Sequence, residues 1–134
     1  MQSSFPREFT SLAQVFAFVD KALGELRVSP EGAYAAQLAV EELFTNIVKY
    51  GQPTSDEVTI SLKRDSGRLV VELTDRGDIP FDPTAAPEVD TSLKLEERKV
   101  GGLGIHLIRN LMDEIRYTYS NGRNRITLIK NLEP

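Results

Sequence analysis

Gly101-Gly102-Leu103-Gly104-Ile105, running straight into His106-Leu107-Ile108-Arg109-Asn110-Leu111-Met112, is a glycine-rich turn that opens an apolar-periodic helix. Unpaired N–H groups of a first helical turn, together with the positive end of the helix dipole, attract an anion. Glycine lets a phosphate approach the backbone with no Cβ in the way. The same residues also serve any tight connection into a helix, so the rest of the chain has to decide between a phosphate cradle and a plain turn.

Composition narrows the options. The 134 residues are enough for one hydrophobic core and too few for two ordinary ones, so a single domain over 1–134 is expected. With 40% hydrophobic and 27% charged residues the chain reads as soluble and globular. No apolar stretch approaches the roughly 20 residues that cross a bilayer, so no membrane partner is expected. Met1-Gln2-Ser3-Ser4-Phe5-Pro6 lacks the basic start and apolar block of a secretory signal, which predicts a cytoplasmic location. The absence of cysteine excludes disulfides, thiolate nucleophiles and cysteine-held metals, and His106 is the only histidine. A hard, oxygen-ligated cation such as Mg²⁺ stays available. A net charge of −4 with scattered basic residues argues against nucleic acid.

Periodicity supplies the element order. Phe5 to Phe9 reads as a short strand, and Thr10 or Ser11 as the cap of a helix whose stripe is Leu12, Val15, Phe16, Val19, Leu23 and Leu26. Ser29-Pro30 starts a second helix, stopped by Gly51. Val58–Leu62 and Leu69–Leu73 form a hairpin around Asp65-Ser66-Gly67. Ile115–Tyr119 and Arg125–Ile129 form another across Ser120–Asn124. Between them, 78–100 holds Pro80, Pro83 and Pro87 and the charged run Lys94–Lys99, a length typical of a functional lid or mobile loop. Hairpins separated by helices predict a mixed, largely antiparallel sheet with helices on one face.

Two further constellations carry chemistry. Leu38, Glu42 and Asn46 are four apart and share one helix face, with Ala39 and Leu43 beside them. That is a solvated polar stripe, or a pair in which Asn46 offers an oxygen to Mg²⁺ and Glu42 accepts a proton from a hydroxyl or water attacking a phosphate. Asp75-Arg76-Gly77 is an ordinary turn, or a purine-base site in which a strand-end carboxylate accepts from an exocyclic amine and Gly77 lets the ring lie on the backbone. Asp78 reads as a solvated loop acid, and His106 as a surface or packing residue. Tyr117, Tyr119, Phe16 and Phe18 read as core.

In this order, Val40-Glu41-Glu42-Leu43-Phe44-Thr45-Asn46, Asp75-Arg76-Gly77 with Pro80-Phe81-Asp82-Pro83, Gly101 to Ile108, and Asn124-Arg125-Ile126-Thr127-Leu128 resemble the GHKL superfamily of gyrase, chaperone, histidine-kinase and mismatch-repair ATPases. Within it the chain is most similar to the small anti-sigma regulatory factors that act as serine/threonine protein kinases, over Phe5 to Lys130. The resemblance implies a two-layer α/β sandwich of Bergerat type, ATP and Mg²⁺ between the long helix and a lid at about 78–100, and γ-phosphoryl transfer to a partner's serine or threonine. It assigns Asn46 to Mg²⁺, Glu42 to the general base, Asp75 to the adenine amine, Gly77 to adenine packing, and Gly101, Gly102, Leu103 and Gly104 to the phosphates. Lys49 stands where many relatives carry a basic residue, often histidine, which makes it a candidate phosphate-binding or base-assisting group. Arg98 and Lys99, just ahead of the glycines, are candidates to fold over the β- and γ-phosphates, unless they are only a solvated face. The implied partners are a sigma factor or similar transcription regulator, an anti-anti-sigma-type antagonist, and a second copy of the chain. The competing reading is an ATP-dependent module that sequesters its partner and transfers no phosphate. The ATP-binding part of a histidine kinase is disfavoured, for want of room for a dimerisation helix bearing an acceptor histidine.

Overall fold

Apolar residues at every second position of three segments produce the sheet on which the other elements rest. The computed structural model describes residues 1–51, 56–84 and 101–132, with the backbone alone for 101–104. Its strands are β1 (Gln2–Phe5), β2 (Val58–Asp65), β3 (Arg68–Arg76), β4 (Glu114–Ser120) and β5 (Arg123–Asn131), in the order β1-β2-β3-β5-β4 with every pairing antiparallel. Val58, Ile60 and Leu62, Leu69, Val71 and Leu73, and Ile126 and Leu128 alternate toward one side and are buried there. Helices α1 (Leu12–Glu25), α2 (Pro30–Tyr50) and α3 (Gly101–Leu111) supply Val19, Leu23, Leu43, Phe44, Ile47, Ile105 and Ile108 to the same core. The result is a two-layer α/β sandwich.

Local chemistry explains the boundaries. Ser29 caps α2 by accepting from the Gly32 N–H at 3.4 Å, and Pro30, which has no N–H to satisfy, occupies the first helical position. Helix α1 ends with Arg27 in the left-handed region (φ 57°), its neighbour Val28 donating back to the Leu23 carbonyl. Arg64 reaches across to donate to the Leu26 and Arg27 carbonyls, at 3.1 and 2.9 Å, and so holds an end that lacks a glycine. Ser66-Gly67 and Asn121-Gly122 both have positive φ throughout, the two-residue geometry that matches strand twist.

Several boundaries differ from the sequence reading, each for a physical reason. The first strand ends at Phe5 because Pro6 has no N–H to donate, and Phe9–Ser11 coil into a 3₁₀ turn. Ser11 occupies the N-cap position of α1 but its side chain makes no capping hydrogen bond; the 3₁₀ turn leads into the helix, and the Thr10 hydroxyl donates to Glu8 instead. The second hairpin turns over two residues rather than five, so β5 starts at Arg123 and takes Asn124 into the strand. Phe16 is 56% exposed, whereas Phe18 packs on Phe5 with ring centroids 5.6 Å apart. Among the described residues, no helix is long and apolar enough to cross a membrane.

Phe44 is fully buried where α2 crosses the sheet. Phe44→Ala is expected to lower unfolding free energy by about 3–5 kcal/mol, from lost burial plus the cavity left behind. Urea titration followed by circular dichroism measures it, and a loss below about 1 kcal/mol would show that the site collapses or that Phe44 is not a core anchor.

Candidate functional site

Asp75 is the next inward position after Leu69, Val71 and Leu73, so the alternation that builds the core also buries a carboxylate, leaving it 5% exposed. Across the sheet it is paired with Asn124 of β5, which is paired in turn with Tyr119 of β4. Arg7, between β1 and the 3₁₀ turn, donates from Nη2 to Asp75 Oδ2 at 2.6 Å and to the Arg76 carbonyl at 3.2 Å. Burial pushes the Asp75 carboxyl up from its ordinary value, against the Arg7 charge and hydrogen bonds from Arg7 and Asn124. Gly77 is held by the second hairpin, its N–H donating to Gly122 O at 3.0 Å and its carbonyl accepting from the Tyr119 hydroxyl at 2.8 Å.

On α2, Asn46 is 6% exposed and its amide nitrogen donates to the Pro83 carbonyl at 3.1 Å, which leaves its oxygen as the part able to meet a cation. One turn earlier, Glu42 Oε1 is buried and has no hydrogen-bond partner among the described residues. Desolvation raises the Glu42 pKa, Glu41 adds to the rise and Lys49 opposes it. Lys49 is exposed, its ammonium 5.2 Å from the centre of the Tyr50 ring, a cation–π distance. Among the described residues no group of three or more His, Cys, Asp or Glu converges. Mg²⁺ needs no such group, since it retains waters and phosphate oxygens beside one or two protein ligands, and an amide oxygen near an unsatisfied carboxylate fits that habit.

The segment leaving β3 ties these parts together. Phe81 N–H donates to Asn124 Oδ1 at 2.8 Å, Asp82 Oδ1 accepts from the N–H and hydroxyl of Thr84, and Arg109 of α3 donates to the Thr84 carbonyl at 3.2 Å. Residues 81–84 are thus bonded to α2, β5 and α3 at once. The glycines do not precede a helix but start one: Gly101, Gly102, Leu103 and Gly104 form the first turn of α3, whose leading N–H groups have no partner within the helix. Arg98 and Lys99, and the greater part of the expected lid, 85–100, lie outside the described residues. His106 is exposed. Tyr117 and Tyr119 do more than pack, since their hydroxyls hold Asn124 and Gly77.

A concavity of about 910 Å³ is lined by Arg76, Gly77, Asp78, Thr118, Arg123 and Arg125 among others. Arg76, Thr118, Arg123 and Arg125 alternate with the buried positions of their strands, so this concavity opens on the outer face of the sheet. It shares only Gly77 with the residues singled out from the sequence and holds no part of the Glu42–Asn46 face. Arg7 was not among those residues, and Asn124 opened one of the quoted segments without a role of its own. Asn124 could have been found by extending the inward period of Leu128 and Ile126 back by two; Arg7 carries no such signal.

A family profile described as a histidine kinase-like ATPase domain matches residues 5–130. The chain is 26% identical over 105 residues to the serine/threonine-protein kinase BtrW of Bordetella bronchiseptica, covering 75% of this chain and 72% of that one. It is 31% identical over 90 residues to the serine-protein kinase RsbW of Halalkalibacterium halodurans, covering 64% and 55%, and 33% identical over 92 residues to RsbW of Listeria monocytogenes, covering 64% and 58%. The chain therefore spans little more than half the length of those two RsbW relatives. Among solved structures, the RsbU and RsbW domains of a Mycobacterium tuberculosis protein match with a TM-score of 0.68 at 18% identity, over 100% of this chain and 33% of that one. The Acinetobacter baumannii histidine kinase AdeS matches with a TM-score of 0.53 at 15% identity, over 100% and 68%. At such identities these two likenesses are of fold alone.

Glu42 also makes a stability test. Its pKa is raised on folding, so between its ordinary value of 4.5 and the folded value the native state holds more proton than the unfolded one. The contribution is therefore favourable below 4.5 and lost as pH rises through the folded value. Glu42→Gln is expected to raise the melting temperature at pH 7 by about 2 °C, with the gain disappearing in acid. Calorimetry across pH measures this, and a variant less stable than the parent at pH 7 contradicts it.

Proposed function

The chain belongs to the histidine kinase-like ATPase domain family, and from that membership we propose that it is an ATP-binding regulatory protein of anti-sigma type that phosphorylates a serine or threonine of a partner antagonist. In its other state it binds a sigma factor or a similar regulator. The observation that carries the kinase reading, beyond nucleotide binding, is Glu42: a buried carboxylate oxygen with no hydrogen-bond partner among the described residues and a raised pKa, one helical turn from Asn46. Nucleotide binding alone has no use for a base there, whereas accepting a proton from an attacking hydroxyl requires one. The names of the BtrW and RsbW relatives agree with this reading.

The chemistry assigns each group a task. Asp75 accepts the adenine amine and Gly77 lets the ring approach the backbone. Asn46 presents its oxygen to Mg²⁺, which when bound neutralises phosphate charge. The first-turn N–H groups of α3, Gly101 to Gly104, face the phosphates, with Lys49, Arg98 and Lys99 as the cations at hand. Glu42 takes the proton of the acceptor hydroxyl as the oxygen attacks the γ-phosphorus and the bond to the nucleoside diphosphate breaks. Little covalent work falls to the protein beyond positioning and charge, as phosphoryl transfer generally requires.

Incubation with γ-labelled ATP and the proteins encoded beside this chain is expected to label a small antagonist. Glu42→Gln is expected to bind ATP as tightly as the parent, by calorimetry, and to lose transfer by about 100-fold or more. Unchanged transfer removes Glu42 from the base role. ATP binding without label on any partner favours the sequestering module instead.

A further inference from the structure

Arg7 has no part in phosphoryl transfer, yet its side chain is as buried as that of Asp75, each 5% exposed. Its seat is built by remote parts of the chain. Pro6 ends β1 one residue earlier, and Nη2 is fixed by both Asp75 Oδ2 and the Arg76 carbonyl. On its other side lies Gly51, the bare residue closing α2; a Cβ there would meet the Ile47 carbonyl oxygen first and would lie 2.7 Å from Arg7 Nη1. Gly51 has φ −68°, so its lack of a side chain serves these two close approaches and not a left-handed turn.

Asn124 meets Asp75 from the opposite strand. Its oxygen already accepts from Phe81 N–H at 2.8 Å and from the Tyr117 hydroxyl at 2.6 Å, so its NH₂ is the end that donates to Asp75. Asp75 is thereby enclosed by two groups that can only donate to it, one of them a guanidinium that never gives up its proton. A carboxyl so held is an acceptor. Burial raises its pKa even against these donors, and without Arg7 it would rise further toward the protonated form, in which it becomes a donor.

We propose that Arg7 is a positioning residue that sets base specificity: by locking Asp75 as an acceptor, it makes the site take a purine bearing a 6-amino group and reject one bearing a 6-oxo group. A 6-amino group offers Asp75 a proton; a 6-oxo group turns a lone pair toward it, leaving both acceptors unpaired. Sites built around one hydrogen bond discriminate strongly against the analogue that cannot make it. The inference rests on the adenine role given to Asp75 above.

The test is calorimetric affinity for ATP and for ITP, whose bases differ at position 6, measured on the full chain and checked for folding by circular dichroism. The parent is expected to prefer ATP by on the order of 100-fold. In Arg7→Met the preference is expected to fall at least about tenfold, while Arg7→Lys, which keeps charge and donors, retains most of it. Should Arg7→Met fail to fold, Arg7→Gln removes the charge while keeping a polar side chain and is expected to erode the preference likewise. A folded Arg7→Met or Arg7→Gln with the parental ATP-to-ITP ratio overturns the proposal, even if both nucleotides bind more weakly. Asp75→Asn separates the two layers. A parent without preference, or a preference that survives Asp75→Asn, defeats the adenine assignment itself. A preference that needs Asp75 but not Arg7 defeats only the role given to Arg7.

Discussion

The buried ion pair between Arg7 and Asp75 is the constraint around which the site end of the molecule is organised. Asp75 cannot avoid burial, because the period that places Leu69, Val71 and Leu73 in the core passes through it. A lone carboxylate in that position would be penalised by several kcal/mol. Its partners arrive from far along the chain: the guanidinium from just past the end of β1, beside the bare Gly51, and the Asn124 amide from β5. The tight Asn121-Gly122 turn belongs to the same set, since moving the register of β5 by one residue would swing Asn124 to the outer face.

From that pair the order spreads through 81–84. Asn124 donates to Asp75 with one end and accepts from Phe81 and Tyr117 with the other. Two residues on, Pro83 receives the Asn46 amide and Thr84 receives Arg109. Hydrogen bonds and the 81–84 backbone therefore join the carboxylate at the end of β3 to the C-terminal part of α2 and to the last turn of α3. Under the proposed function these are the base, metal and phosphate ends of one nucleotide, so strain at one end has a short path to the others. A network of this kind is worth more intact than the sum of its separate bonds.

The sequence makes some of this legible and hides the rest, for physical reasons. Ser29-Pro30 and the spacing of four between Glu42 and Asn46 follow from helix geometry, which is local. The two hairpins and the inward place of Asp75 follow from period two, which is local as well. Arg7 was hidden because Phe5-Pro6-Arg7-Glu8-Phe9 alternates like a strand, and because a charged residue there looks solvent-facing until Gly51, 44 positions away, supplies its seat. Asn124 was hidden by a turn read as five residues when two suffice. Tyr117 and Tyr119 do pack on the core side as expected, but the partners of their hydroxyls lie across strand pairings that periodicity does not record. The glycine run was placed correctly and only its boundary moved, since helix ends depend on which backbone groups find partners.

Asp75 and Glu42 are both raised by burial, yet their surroundings separate their chemistry. Asp75 is met by two donors, a guanidinium and an amide, which favour its acceptor form and hold down a pKa that burial still leaves raised. Glu42 Oε1 is buried with no donor among the described residues, beside an acidic neighbour that opposes its ionisation further. A carboxyl arranged like the first is held as an acceptor; one arranged like the second holds its proton more readily than a free carboxyl. Under the proposed function these two surroundings suit recognition and proton acceptance respectively. Under the proposed function, the burial that disfavours the Glu42 carboxylate in the native state is also what a proton acceptor needs, which sets stability against phosphoryl transfer at this single position.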